Sequence, residues 1–249
     1  MNRFTYQFAK VLVRLSETGR QLNEVLRGTR VLMFHDVHNS PDTSNLYTKP
    51  SQSFRDCMTS LTNWMPNHNV EFVPFSSTPV PGVAVTFDDG YRSTLHIAAE
   101  ILGSLHIPSH VFLTKSYVTS GDPRYLNETD VRRLAAIPGV TLGVHGVSHE
   151  RMPSISQSKL CADLMDSRDW LEQLTGTQIS TLSYPHGAFT TAVTKIVEDS
   201  GFTAAACSDP GTFSDSEQRF TIPRIDIWSH DNAHVCIQKT RGSWDWLLP

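Results

Sequence analysis

The sequence predicts an α/β protein built on a mostly parallel sheet or barrel. Seven short apolar runs are typical of buried strands, at residues 31–34, 70–74, 83–87, 110–113, 140–144, 179–182 and 202–206. Helical patterns lie between several of these runs, and such alternation is typical of parallel sheets. A chain of 249 residues is long enough to bury a sizeable core. We therefore expect one domain.

The N-terminal segment predicts a basic amphipathic helix over residues 3–27. Its apolar side chains, Phe4 and Phe8 among them, recur at near-helical spacing, and its charged side chains are mostly Lys and Arg. Such a helix either packs on its own domain or lies on an anionic membrane surface. We assign residues 1–28 to this helix and residues 29–249 to the remaining domain.

Two later helices follow from the spacing of apolar residues. Residues 157–175 carry a leucine face that includes Leu160 and Leu164, and Gly176 supplies a stop. Residues 190–200 form a second helical pattern, which Gly201 ends.

Composition excludes several classes of function. A net charge of −4 disfavours a nucleic-acid partner, because such proteins usually carry a clustered positive excess. The four cysteines form no Cys-x-x-Cys pair, so a zinc ribbon is not predicted and free thiols in a reducing compartment are expected. A secretory signal, a bilayer-spanning stretch and the Gly-x-Ser-x-Gly segment of serine hydrolases are not found. We expect a cytoplasmic protein that contacts the inner face of the membrane if its N-terminal helix binds lipid.

Two adjacent carboxylates follow the apolar run at residues 83–87. Asp88 and Asp89 stand where a buried strand opens into a loop, and Gly90 permits a tight turn. In a barrel, active residues lie at the carboxyl ends of strands, and one carboxylate can hold a metal while its neighbour acts as a base. The alternative is an ordinary turn signal, because Asp-Gly is common after strands.

Two histidines follow the run at residues 140–144 in the same way. His145 and His149 can face one ion if the loop takes a helical turn, and with a carboxylate they would make a three-ligand catalytic site. A single histidine is more often a surface or core residue, but the spaced pair favours the metal. Zn²⁺ is the expected ion, with Co²⁺ or Ni²⁺ as alternatives, because the three overlap in ligand preference.

These two segments resemble the first two motifs of the polysaccharide deacetylases, the carbohydrate esterases that include the nodulation chitooligosaccharide deacetylases. The match rests on residues 86–91, TFDDGY, and on His145-x-x-x-His149. It extends to residues 31–37 and 222–225, and so covers about residues 30–230. The resemblance implies a distorted (β/α)7 barrel, and makes residues 29–249 a polysaccharide-deacetylase-like catalytic domain.

The resemblance also implies roles for the first two motifs. Asp89, His145 and His149 match the metal ligands, and Asp88 matches the general base that deprotonates the attacking water. An oxyanion would rest on the metal and on a backbone N–H near Tyr184.

The third motif departs from the commonest family pattern. Residues 183–187 read SYPHG, without the arginine that many members use to orient the base. Arg224 is our candidate replacement, and the alternative is an ordinary arginine at the surface or the edge of the core.

The histidine that serves as general acid in much of the family also has no clear counterpart in this sequence. A late Leu-His motif is missing, which leaves His230 and His234 as nearby options. Members with an early Tyr-His segment use the histidine of their first strand, so we expect His35 to be the acid. Alternatively, His35 merely binds a neighbouring strand end.

Tyr91, Tyr184 and His186 are expected to bind the substrate, because aromatic faces stack on sugars and polar tips reach hydroxyl groups. The predicted function is removal of an N-acyl group, in particular acetyl, from an amino sugar in surface-polysaccharide biosynthesis of the O-antigen, lipopolysaccharide or capsule type. The sugar could be nucleotide-linked, lipid-linked or part of an oligosaccharide. The alternatives are a deformylase acting on a lipid-linked formamido sugar and a catalytically silent sugar-binding module.

Overall fold

A seven-stranded parallel sheet forms the centre of the protein. The computed structural model describes residues 27–40 and 45–246, together with Ala9, Leu12 and Val13. Within these residues the strands are β1 (Thr29–Phe34), β2 (Asp36–His38), β3 (Thr48–Pro50), β4 (Gly82–Phe87), β5 (Ser109–Leu113), β6 (Val140–Val144), β7 (Thr181–Ser183), β8 (Ala204–Ala206) and β9 (Arg224–Asp226). Strands β2 and β3 pair with each other in a separate two-stranded sheet.

The large sheet curls into a barrel that is nearly closed. Its strand order is β8-β7-β6-β5-β4-β1-β9, and every neighbouring pair is parallel. A single bridge between Ala206 and Ile222 links β8 to the segment that enters β9. This architecture confirms the predicted α/β class and the distorted (β/α)7 barrel.

Alternate residues of each strand face the barrel interior. Val31, Ala84 and Phe112 belong to an interior cluster, whereas their neighbours Leu32 and Val85 belong to the cluster that packs against the helices. The strands are buried on both sides, which is why they read as continuous apolar runs in the sequence.

A buried histidine lies among the interior side chains of β5, β6 and β7. His110 bonds Thr141 Oγ1 through Nδ1 at 2.6 Å and Thr181 Oγ1 through Nε2 at 2.8 Å. Burial lowers the pKa of His110 to about 3, and the charge of Arg224 acts in the same direction. The imidazole is therefore neutral at physiological pH.

Helices cover the outside of the sheet. They are α1 (Ser51–Trp64), α2 (Ala99–Ser104, preceded by a π-helical turn, Thr94–Ala98), α3 (Lys115–Thr119), α4 (Glu128–Ala135), α5 (Gln157–Thr175), α6 (Thr191–Asp199) and α7 (Ala233–Thr240), with 3₁₀ turns at Met65–His68, Met152–Ser154, Pro185–Gly187 and Ser216–Phe220. Ser156 caps α5 by accepting from the Lys159 N–H, and Gly176 ends it in the left-handed conformation. The two helices predicted after residue 150 are confirmed within two residues at each end.

The seventh barrel strand is not the predicted one. Residues 70–74 make only one bridge, from Phe72 to Val83. Strand β1 pairs with one edge of β4 from Gly82 onward, and β5 pairs with the other edge from Val85 onward. Residues 70–74 can therefore pair only with the first residues of β4. The place in the barrel is filled instead by β9, which pairs with β1.

Little of the predicted N-terminal helix is described. Ala9, Leu12 and Val13 are helical, and Ala9 and Val13 are buried in a cluster with Val235 and Trp244. The rest of residues 3–26 lies outside the described residues. Among the described helices, none has the length and hydrophobicity needed to cross a membrane.

Candidate active site

The predicted metal ligands meet at the carboxyl ends of β4 and β6. Asp88 and Asp89 directly follow β4, and His145 directly follows β6, with His149 in the next loop. They line a cleft of about 420 Å³. The described residues that line it are Met33, His35, Asn45, Tyr47, Asp88, Asp89, Tyr91, His145, His149, Arg151, His186, Gly187, Ser208 and Asp226.

Asp89, His145 and His149 each direct one ligand atom at a common point. These atoms lie within 4.8 Å of one another. Asp89 Oδ1 is 3.6 Å from His145 Nε2 and 3.3 Å from His149 Nε2. Among the described residues, none donates a hydrogen bond to Asp89 Oδ1, although the atom is buried. A buried acceptor without a donor is costly, and a cation between the three side chains would satisfy it.

Both imidazoles are set to act as neutral ligands. His145 Nδ1 lies 2.8 Å from the Ser183 carbonyl oxygen. A carbonyl can only accept, so Nδ1 carries the proton and Nε2 presents a lone pair to the site. Burial, reinforced by the neighbouring His145, lowers the pKa of His149 to about 4.

Three residues at the site have left-handed backbone conformations that side chains rarely adopt. The φ angles are 72° at Asp89, 58° at His149 and 59° at His186. Gly90 and Gly187, next to two of them, also have positive φ. Such strain persists where the surrounding structure enforces it and is common at functional sites.

The loop that carries both histidines is held by a residue that sequence reasoning missed. Both carboxylate oxygens of Asp163, on α5, accept from the Val147 N–H at 3.1 Å. Gly146 closes the turn with φ 76°, and a Cβ there would lie 3.1 Å from Asp163 Oδ1. A signal existed, because Asp163 stands next to Leu164 and three residues after Leu160 on the buried side of the predicted helix.

Asp88 is held by Arg224, the candidate replacement for the arginine that the third motif lacks. Arg224 Nη1 donates to Asp88 Oδ1 and Nη2 donates to Asp88 Oδ2, both at 2.7 Å. Ser183 Oγ donates to Asp88 Oδ2 at 3.0 Å and accepts from Arg224 Nη2 at 2.7 Å. Burial alone would raise the pKa of Asp88, but the charge and the hydrogen bonds of Arg224 hold it well below its usual range.

His35 lies in the same cleft at the end of β1. Its ring centroid is 4.7 Å from that of Tyr47. A positive charge on His35 lowers the pKa of both Asp88 and Asp226, so the imidazole is close to two carboxylates. Asp226 at the end of β9 is a second residue that sequence reasoning missed, and burial raises its pKa. The alternative acids, His230 and His234, are exposed and are not among the described residues that line the cleft.

The three predicted substrate-binding residues are not all in the cleft. Tyr91 and His186 line it, and the His186 ring lies 4.4 Å from the His149 ring. Tyr184 is fully buried, and its hydroxyl donates to the Phe220 carbonyl at 2.9 Å. Its backbone N–H donates to Ala206 O at 3.0 Å, so it is not free to bind an oxyanion. The Tyr184 ring therefore packs in the hydrophobic core and does not contact the cleft.

The part of the chain that carries Asp88, Asp89, His145 and His149 matches a known protein family. The family model described as Polysaccharide deacetylase matches residues 76–205, just over half of the chain. YxkH of Bacillus subtilis (strain 168), a protein named for the same family, is 21% identical over 145 residues, which are 58% of this chain and 51% of YxkH. The chain thus spans about half the length of this curated relative.

Solved structures share the fold. The Streptococcus pyogenes deacetylase PplD, solved in complex with acetate, superposes with a TM-score of 0.76 at 16% identity over 86% of this chain and 98% of that chain. BC0361, a polysaccharide deacetylase from Bacillus cereus, gives 0.71 at 17% identity over 86% and 69% of the two chains. IcaB from Ammonifex degensii gives 0.70 at 18% identity over 87% and 97%.

Proposed function

This chain belongs to the polysaccharide deacetylase family, and we propose that it is a metal-dependent hydrolase that removes an N-acyl group, in particular acetyl, from an amino sugar. One observation carries the proposal. An unsatisfied Asp89 oxygen and two imidazoles converge beside a second carboxylate, that of Asp88, which an arginine holds ionised. A ligand set and a base thus share one cleft.

Asp89, His145 and His149 would hold the ion. Their mixed nitrogen and oxygen donors suit Zn²⁺, and equally Co²⁺ or Ni²⁺. A bound divalent ion would polarise the amide carbonyl and acidify the attacking water.

Asp88 would accept the proton of that water. Its oxygens are oriented by Arg224 and Ser183, yet a carboxylate has more acceptor positions than these donors occupy. The lowered pKa keeps the group ionised, which is the form that a general base needs.

His35 would act as the general acid. It would donate a proton to the amine nitrogen as the C–N bond breaks, which yields the carboxylic acid and the free amino sugar. Asp226 lines the same cleft as His35 and would lie beside it during this step.

Tyr91 and His186 are the proposed contacts to the sugar, with surface-polysaccharide biosynthesis as the setting. The fold shared with IcaB and with the deacetylase domain of BpsB from Bordetella bronchiseptica is compatible with this setting. The alternatives are a deformylase acting on a lipid-linked formamido sugar and a silent sugar-binding module. The second is disfavoured because Asp88 is present and paired, although a protein that only binds sugar has no need of it.

Residues 1–28 remain a proposed N-terminal helix in front of a catalytic domain, residues 29–249. The burial of Ala9 and Val13 against Val235 and Trp244 supports packing on that domain. Lipid contact through residues 3–27 would show as stronger binding of anionic liposomes by the intact protein than by one that lacks residues 1–27. Equal binding would exclude a lipid role for this helix.

The decisive experiment combines metal analysis with acid release. We expect about one Zn²⁺, Co²⁺ or Ni²⁺ per chain, and release of acetate from N-acetylated sugars, with formate release from formamido sugars as the alternative result. We expect Asp88→Asn to keep the metal and to lower kcat by about 10²–10⁴. Undiminished turnover would contradict the assignment of the base. No bound metal and neither acid released would support the binding module.

A further inference from the structure

The fold brings together two of the four cysteines, although all four are far apart in the sequence. Cys57 lies on α1 and Cys236 lies on α7, and these two helices pack against each other. Both side chains are fully buried in the same hydrophobic cluster. The other two cysteines are elsewhere, Cys161 on α5 and Cys207 directly after β8. A pair of thiols is thus enclosed between the first helix after β3 and the helix after β9.

The contacts of the Asp231 carbonyl oxygen fix how the two helices face each other. Ser53 Oγ donates to this oxygen at 3.3 Å, and Cys57 Sγ, one turn further along α1, lies 4.0 Å from it. Asp231 immediately precedes Asn232, the N-cap residue of α7. Cys236 lies in the first turn of that helix, and its N–H donates to the Asn232 carbonyl at 2.9 Å. The face of α1 that carries Cys57 is therefore directed at the turn that carries Cys236.

The two thiols differ in acidity. The thiol of Cys236 donates a hydrogen bond to the sulfur of Cys57, which lowers the pKa of Cys57 although burial opposes this. The positive charge of Lys49 acts in the same direction, and Lys49 Nζ donates to the Asp231 carbonyl oxygen at 2.7 Å. The same hydrogen bond, together with burial, raises the pKa of Cys236. Cys57 is thus the better nucleophile of the pair.

We propose that Cys57 and Cys236 form a disulfide when the protein meets an oxidised thiol couple, and that this bond clamps the last strand and helix of the barrel to α1. Strand β9 leads through residues 227–232 into α7, so a bond at the first turn of α7 also restrains β9. The restraint extends to the cleft, because Lys239 Nζ on α7 donates to the carbonyl of Asp226 at 2.7 Å. The inference does not depend on the proposed function.

The reaction is an ordinary thiol–disulfide exchange with a small disulfide such as oxidised glutathione. The Cys57 thiolate attacks one glutathione sulfur, which breaks the glutathione S–S bond and releases one glutathione thiolate. The Cys236 thiolate then attacks the Cys57 sulfur of this mixed disulfide and releases the second glutathione. Two electrons and the two cysteine protons pass to the glutathione, and the protein gains one S–S bond.

Burial determines when this exchange can take place. A buried thiol meets an oxidant only when the structure opens locally, or before folding is complete. We therefore expect the bond to form slowly in the folded protein and faster in a chain that folds under oxidising conditions. The expectation of free thiols then applies to reducing surroundings alone.

Peptide mapping after oxidation tests the proposal. One sample of the reduced wild-type protein is incubated with excess oxidised glutathione, and a second is unfolded in guanidinium and refolded in the same buffer. Free thiols are then blocked with N-ethylmaleimide, and the digested protein is analysed by mass spectrometry. We expect a peptide linked through Cys57 and Cys236 as the main cross-link in both samples. The Tm of the cross-linked protein should exceed that of the dithiothreitol-treated protein by about 5 °C or more.

The variants Cys57→Ala and Cys161→Ala form a matched pair. Cys57→Ala should lose both the cross-link and the rise in Tm, whereas Cys161→Ala, which removes a half-buried thiol of α5, should keep both. The comparison of oxidised and reduced wild type needs no variant, so it decides the question even if Cys57→Ala does not fold. Absence of the linked peptide from both samples, a main disulfide through Cys161 or Cys207, or an unchanged Tm would each overturn the proposal.

Discussion

At the scale of single residues, the central feature is the pair of adjacent carboxylates. Asp88 faces Arg224 and Ser183, whereas Asp89 faces the two histidines. Both side chains are almost fully buried. The sequence Asp-Asp-Gly predicts a turn but not the positive φ at Asp89. The division of roles came from the family resemblance, and the geometry supplies its physical basis.

Arg224 is expected to matter for stability as well as for catalysis. Removing one partner of a buried ion pair leaves an uncompensated charge, so Arg224→Met should lower the free energy of unfolding by about 3–5 kcal/mol. Arg224→Lys keeps the charge but loses the bidentate geometry. It should therefore unfold closer to the wild type while kcat falls by about tenfold or more. Guanidinium denaturation and steady-state kinetics measure the two effects.

The double variant Asp88→Asn/Arg224→Met gives the control. Because the two residues interact directly, its loss of stability should be smaller than the sum of the two single losses. Strict additivity, or an Arg224→Met protein as stable as the wild type, would show that the pair does not act as described.

At the scale of elements, the loop after β6 depends on a helix that carries no ligand. Asp163 binds the Val147 N–H, midway between His145 and His149. This contact would support the proposed metal ligands from outside, and loss of such contacts typically weakens metal binding.

We expect Asp163→Ala to lower the affinity for Zn²⁺ by about 10–100-fold, measured by competition with a chromophoric chelator. Asp163→Asn should retain most of the affinity, because its side-chain carbonyl can still accept from Val147. Asp169→Ala, which changes an exposed aspartate of the same helix, is the matched control. If Asp163→Ala and Asp169→Ala bind Zn²⁺ equally well, the contact does not position the loop.

Strands that are buried along their whole length were predicted correctly. The prediction failed where the available pairing partners determine whether a segment joins the sheet. The runs that became β4, β5 and β6 are apolar enough to be recognised alone. Residues 70–74 also carry two valines and a phenylalanine, interrupted by Glu71, yet most of both edges of β4 is already paired with β1 and β5. Strand β9 has only three residues, two of them charged, and its pairing with β1 cannot be read from local sequence.

At the scale of the whole molecule, the interior of the barrel contains a histidine that must stay neutral. Its pKa is about 3 in the folded protein against an ordinary value of 6.5. Between these values the unfolded chain binds a proton that the folded chain does not. The contribution of His110 to stability is therefore complete above about pH 6.5 and is lost as the pH falls toward 3.

Each pH unit within this window should cost about 1.4 kcal/mol of unfolding free energy from His110 alone. We expect His110→Gln to show a smaller loss than the wild type between about pH 7 and pH 5 in denaturant titrations. The two proteins share all other titrating groups, so the difference isolates His110. If the unfolding free energies of the two proteins change with pH in parallel, His110 does not take up a proton on unfolding.

Most of the fold could be predicted from the sequence, and so could the four central residues of the candidate site, Asp88, Asp89, His145 and His149. Both depend on short contiguous segments. The proposed metal ligands and Asp88 lie at or shortly after the ends of two recognisable strands. The parts played by Asp163 and Asp226 could not be predicted, because they arise from contacts between distant segments. The misassigned Tyr184 has the same cause, since only the packing of β7 on β8 decides which way it points.

The separation of Asp88 and Arg224 along the chain, 136 residues, has a consequence for biogenesis. The ribosome synthesises Asp88 long before Arg224. Until β9 pairs with β1, burial of the unpaired Asp88 carboxylate is energetically unfavourable. The barrel should thus close around Asp88 as one of the last events of synthesis. In pulse-labelling hydrogen exchange, amides of β9 should gain protection after those of β4 to β6, and simultaneous protection would rule out this order.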